Sequence, residues 1–146
     1  MVAPPDRNLI AFTVPGRPTA WKRPAQRRDG GRFDDPRQVK LKKTIAMLAR
    51  HAAPEHWPIG LPMELWILFC FRHPKSAPQR QRPFAARPDL DNLTKLIKDA
   101  LGGVAWNDDA QVVVMHMLKT YDSENLTRIE VRPAKLTGGG GWIPCL

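Results

Sequence analysis

Residues 87–114 read RPDLDNLTKLIKDALGGVAWNDDAQVVV and decide most of the fold. Pro88 precedes a candidate N-cap at Asp89, and the pair Gly102-Gly103 is typical of a helix end. Between these signals, apolar residues recur at i, i+3, i+4, i+7 and i+8, which predicts a helix with a single apolar stripe. The stripe consists of Leu93, Leu96, Ile97, Ala100 and Leu101.

The rest of the chain supplies a second helix and several strands. Apolar or alternating runs predict strands over residues 9–14, 63–71, 111–118 and 125–131, and a second amphipathic helix is predicted over 36–51. The run 63–71 (MELWILFCF) is apolar almost throughout, which indicates burial on both faces. The last two strands are expected to be antiparallel neighbours, joined by the polar turn DSEN.

These elements predict a single compact α/β (α+β) domain with a mixed β-sheet and about two helices. The domain is expected to span residues 1–136, followed by a flexible Gly-rich tail over 137–146. The two cysteines do not form a disulfide framework, because Cys70 lies in an apolar run and Cys145 in the tail. With no apolar signal region at the N-terminus and no membrane-length apolar run, we expect a cytoplasmic protein.

The charge balance points to a polyanionic partner. The chain has 23 Lys plus Arg against 14 Asp plus Glu, a net charge of +9. Such a surplus in a small domain favours nucleic acid, although solubility or a membrane surface are the plain alternatives. Most of the basic residues lie in residues 17–50 and 72–98, largely in predicted loops. The candidate phosphate contacts are Arg17, Lys22, Arg23, Arg27, Arg28, Arg80, Arg82 and Arg87.

Acidic residues inside this basic background suggest a metal site. Asp89 and Asp91 lie two residues apart at the helix start, and Lys95 shares a face with Asp91, opposite the apolar stripe. Clustered carboxylates suit Mg²⁺, which prefers oxygen ligands and activates water toward a phosphodiester. A helix of about 12 residues is roughly 18 Å long, so the later pair Asp108-Asp109 can only just return to its start. A second subunit is the other possible source of an acid.

Each of these features also has an ordinary structural explanation. Asp89 alone is a normal N-cap, and Asp91 with Lys95 is a normal ion pair at i, i+4. The Asn107-Asp108 sequence is a normal turn. Spacing alone therefore leaves the metal site open, and a non-catalytic nucleic-acid-binding module remains an alternative.

The stretch PDLDNLTKLIKDALGGVAWNDDAQVV resembles the RusA family of Holliday-junction resolvases. It has an acid-x-acid-Asn start, a Lys four residues later and a terminal Asp-Asp-x-Gln-Val, and FTVPGRPTAWKRP is similar to the family's opening strand and basic loop. The resemblance implies a homodimer that cuts four-way DNA junctions with symmetric nicks, using Mg²⁺ or Mn²⁺. Such an enzyme is expected to need no small-molecule cofactor and no membrane, and a bacterial or phage origin is expected. A nuclease for flaps or forks is a further alternative.

Carried over by position, the resemblance assigns the metal ligands to Asp89, Asp91 and Asp109 and the essential lysine to Lys95. Asp108 ranks behind Asp109, because Asp109 directly precedes the Ala-Gln-Val sequence. Asp99 is interpreted as structural, a partner for Lys95. The loop 80–87 departs from any fixed family pattern, so no junction-opening aromatic is assigned to Trp21 or Phe84. Phe84 is either a wedge between bases or a packing anchor for its loop.

Overall fold

The computed structural model describes residues 8–76 and 83–135. Its elements in chain order are β1 (Ile10–Pro15), β2 (Ala25–Gln26), β3 (Arg32–Phe33), α1 (Pro36–Ala52), β4 (Met63–Arg72), α2 (Leu90–Leu101), β5 (Val112–Asp122) and β6 (Leu126–Pro133). A short 3-10 turn, Asp109–Gln111, leads into β5. The fold is therefore α+β with a mixed sheet and two helices, as predicted. The predicted tail lies outside the described residues.

The main sheet has four strands in the order β1-β6-β4-β5. β4 is central, parallel to β5 and antiparallel to β6, and β6 pairs antiparallel with β1. On one face of β4 the side chains of Leu65, Ile67 and Phe69 are buried, and Phe69 packs among residues of both helices. On the other face Trp66 and Leu68 are only half-buried, so the burial predicted for both faces of this strand is incomplete.

The prediction that β5 and β6 are neighbours is wrong, because β4 lies between them. The polar turn does connect the two strands, but it crosses the end of β4 and hydrogen-bonds to it there. The backbone N–H of Arg72 donates to Asn125 Oδ1 at 2.8 Å, and that of His73 donates to the carbonyl of Asp122 at 2.9 Å. The central position goes to the most apolar strand, since a central strand has neighbours on both edges and is the best shielded from water.

The basic segment, residues 16–32, follows β1 and is predicted as an irregular loop. It is held at two places. β2 and β3 form a small antiparallel hairpin, with a turn at Gly30 whose φ of 85° favours glycine. Gln38 of α1, only 4% exposed, accepts a hydrogen bond from the Lys22 N–H at 3.0 Å. Its amide also donates to the Lys22 carbonyl at 3.3 Å. The segment is thus attached to α1 through a buried side chain.

Both predicted helices form with nearly the predicted bounds. In α2 the whole predicted stripe is buried, and Gly103 just beyond its end has a φ of 80°, which a residue with a side chain rarely adopts. Cys70 is buried, as predicted, and burial, with a hydrogen bond to Asp122, raises the pKa of its thiol to about 11. Among the described residues, no helix has the length and apolar character needed to cross a membrane.

Candidate active site

The first two candidate ligands, Asp89 and Asp91, lie at the start of α2. Asp89 occupies the N-cap position, and its carbonyl accepts the Leu93 N–H at 3.1 Å. Within residues 8–76 and 83–135, however, its carboxylate accepts no capping hydrogen bond. Asp91 lies in the first helical turn, and both acids are exposed. The ordinary capping role therefore does not explain the Asp89 side chain, and the positive end of the helix dipole favours both carboxylates as anions.

Lys95, one turn after Asp91, does not form the ion pairs that its spacing suggests. In the described part of the chain no salt bridge joins it to Asp91 or to Asp99. Its ammonium nitrogen lies instead 3.6 Å from the centroid of the Trp21 ring. Sequence reasoning left Trp21 without a role, because nothing local in the sequence indicates that the basic segment reaches α2.

Trp21 is brought to α2 by the backbone as well as by its ring. Its N–H donates to the Asn92 carbonyl at 2.9 Å, next to Asp91. The following residue, Lys22, is the one that Gln38 holds. The basic segment consequently lies over the start of α2 and places a half-buried aromatic ring against Lys95.

Asp109, the third candidate ligand, reaches α2 at a different place. Its Oδ1 accepts the indole N–H of the buried Trp106 at 2.9 Å, and its Oδ2 lies 3.6 Å from Lys98 Nζ. Lys98 is about 10 Å along the helix axis from Asp91 at the standard rise. In the described residues, no three acidic, histidine or cysteine side chains are close enough to hold one metal ion. Asp89 and Asp91 therefore lie two residues apart at the start of α2, whereas Asp109 pairs with Lys98 further along the helix.

The neighbouring Asp108 has a structural role. Its Oδ1 accepts the Ala110 N–H at 2.7 Å and caps the 3-10 turn. The Gln111 side chain completes the cap by accepting the Asp108 N–H at 3.0 Å, while its amide donates to the carbonyls of Ile59 and Leu61. The Asp108 carboxylate is therefore engaged in local structure, and its ranking behind Asp109 stays a prediction.

Phe84 is a packing anchor in this structure. It is 7% exposed, its ring stacks on Phe71 with centroids 3.9 Å apart, and it meets Tyr121 edge-on at 5.1 Å. A ring packed in this way is not available to enter DNA unless the loop rearranges. The interpretation of Phe84 as an anchor is therefore the one that the geometry supports.

The candidate phosphate contacts that the structure describes are all exposed; they are Arg17, Lys22, Arg23, Arg27, Arg28 and Arg87. Lys22 lies 3.9 Å from Asp35, and the guanidinium groups of Arg17 and Arg27 lie over the rings of Phe71 and Phe33. Arg80 and Arg82 lie outside the described residues. The basic segment therefore offers several solvent-facing cations.

Comparison with known proteins identifies the class. The family model for endodeoxyribonuclease RusA matches residues 15–132, so the chain belongs to the RusA family of endodeoxyribonucleases, enzymes that cleave DNA internally. The match includes the whole of α2 and the basic segment, and it confirms the resemblance seen in the sequence.

Two relatives extend over most of the chain. The uncharacterized protein YqaN of Bacillus subtilis (strain 168) is 31% identical over 139 residues, covering 86% of this chain and 96% of YqaN. The crossover junction endodeoxyribonuclease RusA of Lactococcus phage r1t is 28% identical over 103 residues, covering 68% of this chain and 76% of the phage protein.

Proposed function

We propose that the protein is a Mg²⁺-dependent, structure-specific endonuclease that resolves four-way DNA junctions by symmetric paired nicks during recombination and repair. The observation that carries the proposal is the start of α2, where Asp89 and Asp91 are exposed and Trp21 of the basic segment contacts both the Asn92 carbonyl and Lys95. The family match supplies the reaction class, and the name of the phage relative supplies the junction as substrate.

The donor set at this helix start fits a hard divalent cation. Mg²⁺ keeps several waters and is often held by one or two carboxylates together with substrate phosphates. Asp89 and Asp91 supply such oxygens, and no capping bond to a described residue occupies the Asp89 carboxylate. These two acids would hold Mg²⁺, with Mn²⁺ as a substitute, and the bound ion would polarise the scissile phosphate and acidify a water.

Lys95 is proposed to act on the phosphate itself, and Trp21 is proposed to position Lys95. The ammonium group of Lys95 supplies a positive charge one helical turn from Asp91, where it can bind the phosphate and stabilise negative charge that develops during cleavage. The Trp21 ring restricts the positions of this group from one side. The two residues together keep a cation near the two carboxylates.

Asp109 remains the proposed third ligand, assigned by the family pattern. Its bond from Trp106 fixes one carboxylate oxygen, while the other oxygen pairs, among the described residues, with the half-buried Lys98. Ligation of the same ion by Asp109 would require this oxygen to exchange Lys98 for the metal. A second subunit is the alternative source of a third acid.

Junction binding is proposed to use the surplus of positive charge and two copies of the chain. Exposed arginines and lysines on the basic segment would neutralise backbone phosphates and release counterions. A four-way junction has approximate two-fold symmetry, so paired nicks need two equivalent sites. A homodimer supplies both.

The test is nicking of a labelled four-way junction beside a linear duplex of the same sequence, with Mg²⁺, Mn²⁺ or EDTA. The proteins are wild type, Asp91→Asn and a matched control, Asp99→Asn, which removes an exposed acid from the other end of the same helix. Metal-dependent nicking of the junction alone, lost in Asp91→Asn and kept in Asp99→Asn, supports the proposal. Tight junction binding without cleavage would establish a binding module, and preference for flaps or forks would reassign the substrate.

A further inference from the structure

Lys119 of β5 directs its charge toward the segment that enters α2. Its ammonium nitrogen donates to the carbonyl of Ala86 at 2.8 Å and to the carbonyl of Pro88 at 2.9 Å. The same nitrogen lies 5.4 Å from the centroid of the Phe84 ring. Lys119 is half-buried.

Asp89 and Asp91 differ in what holds them in place. Asp91 lies inside the first turn of α2, so the helical backbone fixes its position. Asp89 precedes the first helical residue, and its side chain makes no capping bond to the described residues. The Leu93 N–H holds the Asp89 carbonyl, but the direction of the Asp89 side chain also depends on how the chain enters the helix at Pro88.

Lys119 sets that direction. One of its two acceptors is the carbonyl of Pro88, the group bonded directly to the Asp89 nitrogen. The other acceptor is the carbonyl of Ala86, two residues earlier, so a single ammonium group holds the backbone on both sides of Arg87. Because Ala86 is exposed and Pro88 is half-exposed, water would satisfy these carbonyls if the lysine were absent, and local folding does not require a lysine here.

We infer that Lys119 is a positioning residue, which acts through Pro88 to place the Asp89 carboxylate beside that of Asp91. The inference rests on the proposed metal site at the start of α2. It separates Lys119 from the lysines expected to contact DNA, because both of its carbonyl bonds point to the protein. Residues that orient metal ligands in this way typically contribute roughly tenfold to a hundredfold to metal affinity.

The decisive variant is Lys119→Met, which keeps most of the side-chain length and removes the donors. Lys135→Met, at an exposed lysine, controls for the loss of one charge, and Lys119→Arg restores donors. Calorimetry of the metal-free proteins with Mn²⁺ gives the affinity without reference to activity. Junction binding in EDTA gives a second, metal-independent measurement.

The expected result is a Kd for Mn²⁺ at least about tenfold weaker in Lys119→Met, with partial recovery in Lys119→Arg. Junction affinity in EDTA should match that of Lys135→Met. In an Asp89→Asn background the Lys119→Met change should have little further effect on Mn²⁺ binding, whereas a general structural disturbance would add to the loss. If Lys119→Met does not unfold cooperatively, Lys119→Gln replaces it in the same comparison.

Equal Mn²⁺ affinity in wild type and Lys119→Met would overturn the inference while leaving the proposed function intact. So would a junction affinity that falls well below that of Lys135→Met, because Lys119 would then be a DNA contact. A wild-type protein that binds no Mn²⁺ and nicks no junction would remove the proposed function and, with it, the site that Lys119 is inferred to position.

Discussion

The ammonium nitrogen of Lys95 lies 3.6 Å from the centroid of the Trp21 ring, although the two residues belong to separate elements. The contact is supported by a backbone bond, since the Trp21 N–H donates to the Asn92 carbonyl. A basic segment that comes from the first strand is thereby attached to the acidic helix start. The part of the basic segment around Trp21 thus lies close to the proposed metal-binding residues.

Replacing Trp21 with Leu should slow nicking by roughly twofold to thirtyfold, because a cation–π contact contributes about 0.5–2 kcal/mol and about 1.36 kcal/mol is tenfold in rate. Trp21→Phe keeps an aromatic face and should retain most of the activity. The rate at saturating junction, measured under single-turnover conditions, separates this effect from binding. An equal loss in the Phe and Leu variants would show that the aromatic face is not what matters.

Asp108 and Asp109 should respond differently to the same change. Asp108→Asn should nick within about twofold of wild type, because Asn caps helical turns about as well as Asp. Asp109→Asn should lose most of its activity if Asp109 ligates the metal, since an amide is a poorer ligand for Mg²⁺. Parallel nicking assays, with thermal unfolding as the check on folding, decide the matter. A larger loss in Asp108→Asn would reverse the assignment.

The second face of the sheet carries a pH-sensitive group that is separate from the candidate site. Burial raises the pKa of Glu64, but hydrogen bonds from Arg132, Trp66 and His116 outweigh burial and hold this pKa below its ordinary value of 4.5. A carboxyl group whose pKa is lowered in the folded state stabilises the protein at pH values above its unfolded-state pKa. That contribution is lost as the pH falls below about 4.5 and through the folded-state pKa.

Glu64→Gln should therefore lower the free energy of unfolding by about 2 kcal/mol at pH 7, because the substitution removes the hydrogen bonds that the charged carboxylate accepts. The difference from wild type should shrink as the pH falls toward 3. Urea unfolding across this range measures it, with Glu130→Gln, at an exposed acid, as the control. A difference that stays constant with pH would argue against the Glu64 carboxylate as its source.

The basic segment should contribute to the salt dependence of junction binding. The double change Arg23→Gln and Arg28→Gln removes two exposed cations, and each phosphate that is no longer neutralised should reduce the slope of log K against log salt by about 1. Binding titrations at several salt concentrations in EDTA give the slope, with Lys135→Gln as control. An unchanged slope would place the DNA elsewhere.

Local sequence signals were enough to predict α2 and its caps. The stripe of apolar residues and the glycine pair gave bounds that agree with the observed Leu90–Leu101. The neighbours of β5 were not predictable in the same way, because the insertion of β4 between β5 and β6 depends on which strand is best shielded by the whole sheet. A short polar turn normally indicates a hairpin, and here it instead crosses the end of a third strand.

The candidate site shows the same division. The acids at the helix start could be proposed as ligands from the family pattern, because all of them lie in one continuous stretch. The contacts that Trp21, Gln38 and Lys119 make could not, since each joins residues from different elements. The position of Asp109 beside Lys98 likewise follows from how the 3-10 turn packs through Trp106.

The most direct measurement maps the nicks on a synthetic four-way junction, labelling each of the four strands in turn, with wild type and Asp91→Asn in Mg²⁺. The expected result is a pair of nicks at equivalent positions in two opposing strands, with products that a ligase can seal, and no nicks with Asp91→Asn. Unpaired or scattered nicks, or nicking that persists in Asp91→Asn, would contradict a resolvase that works through the start of α2.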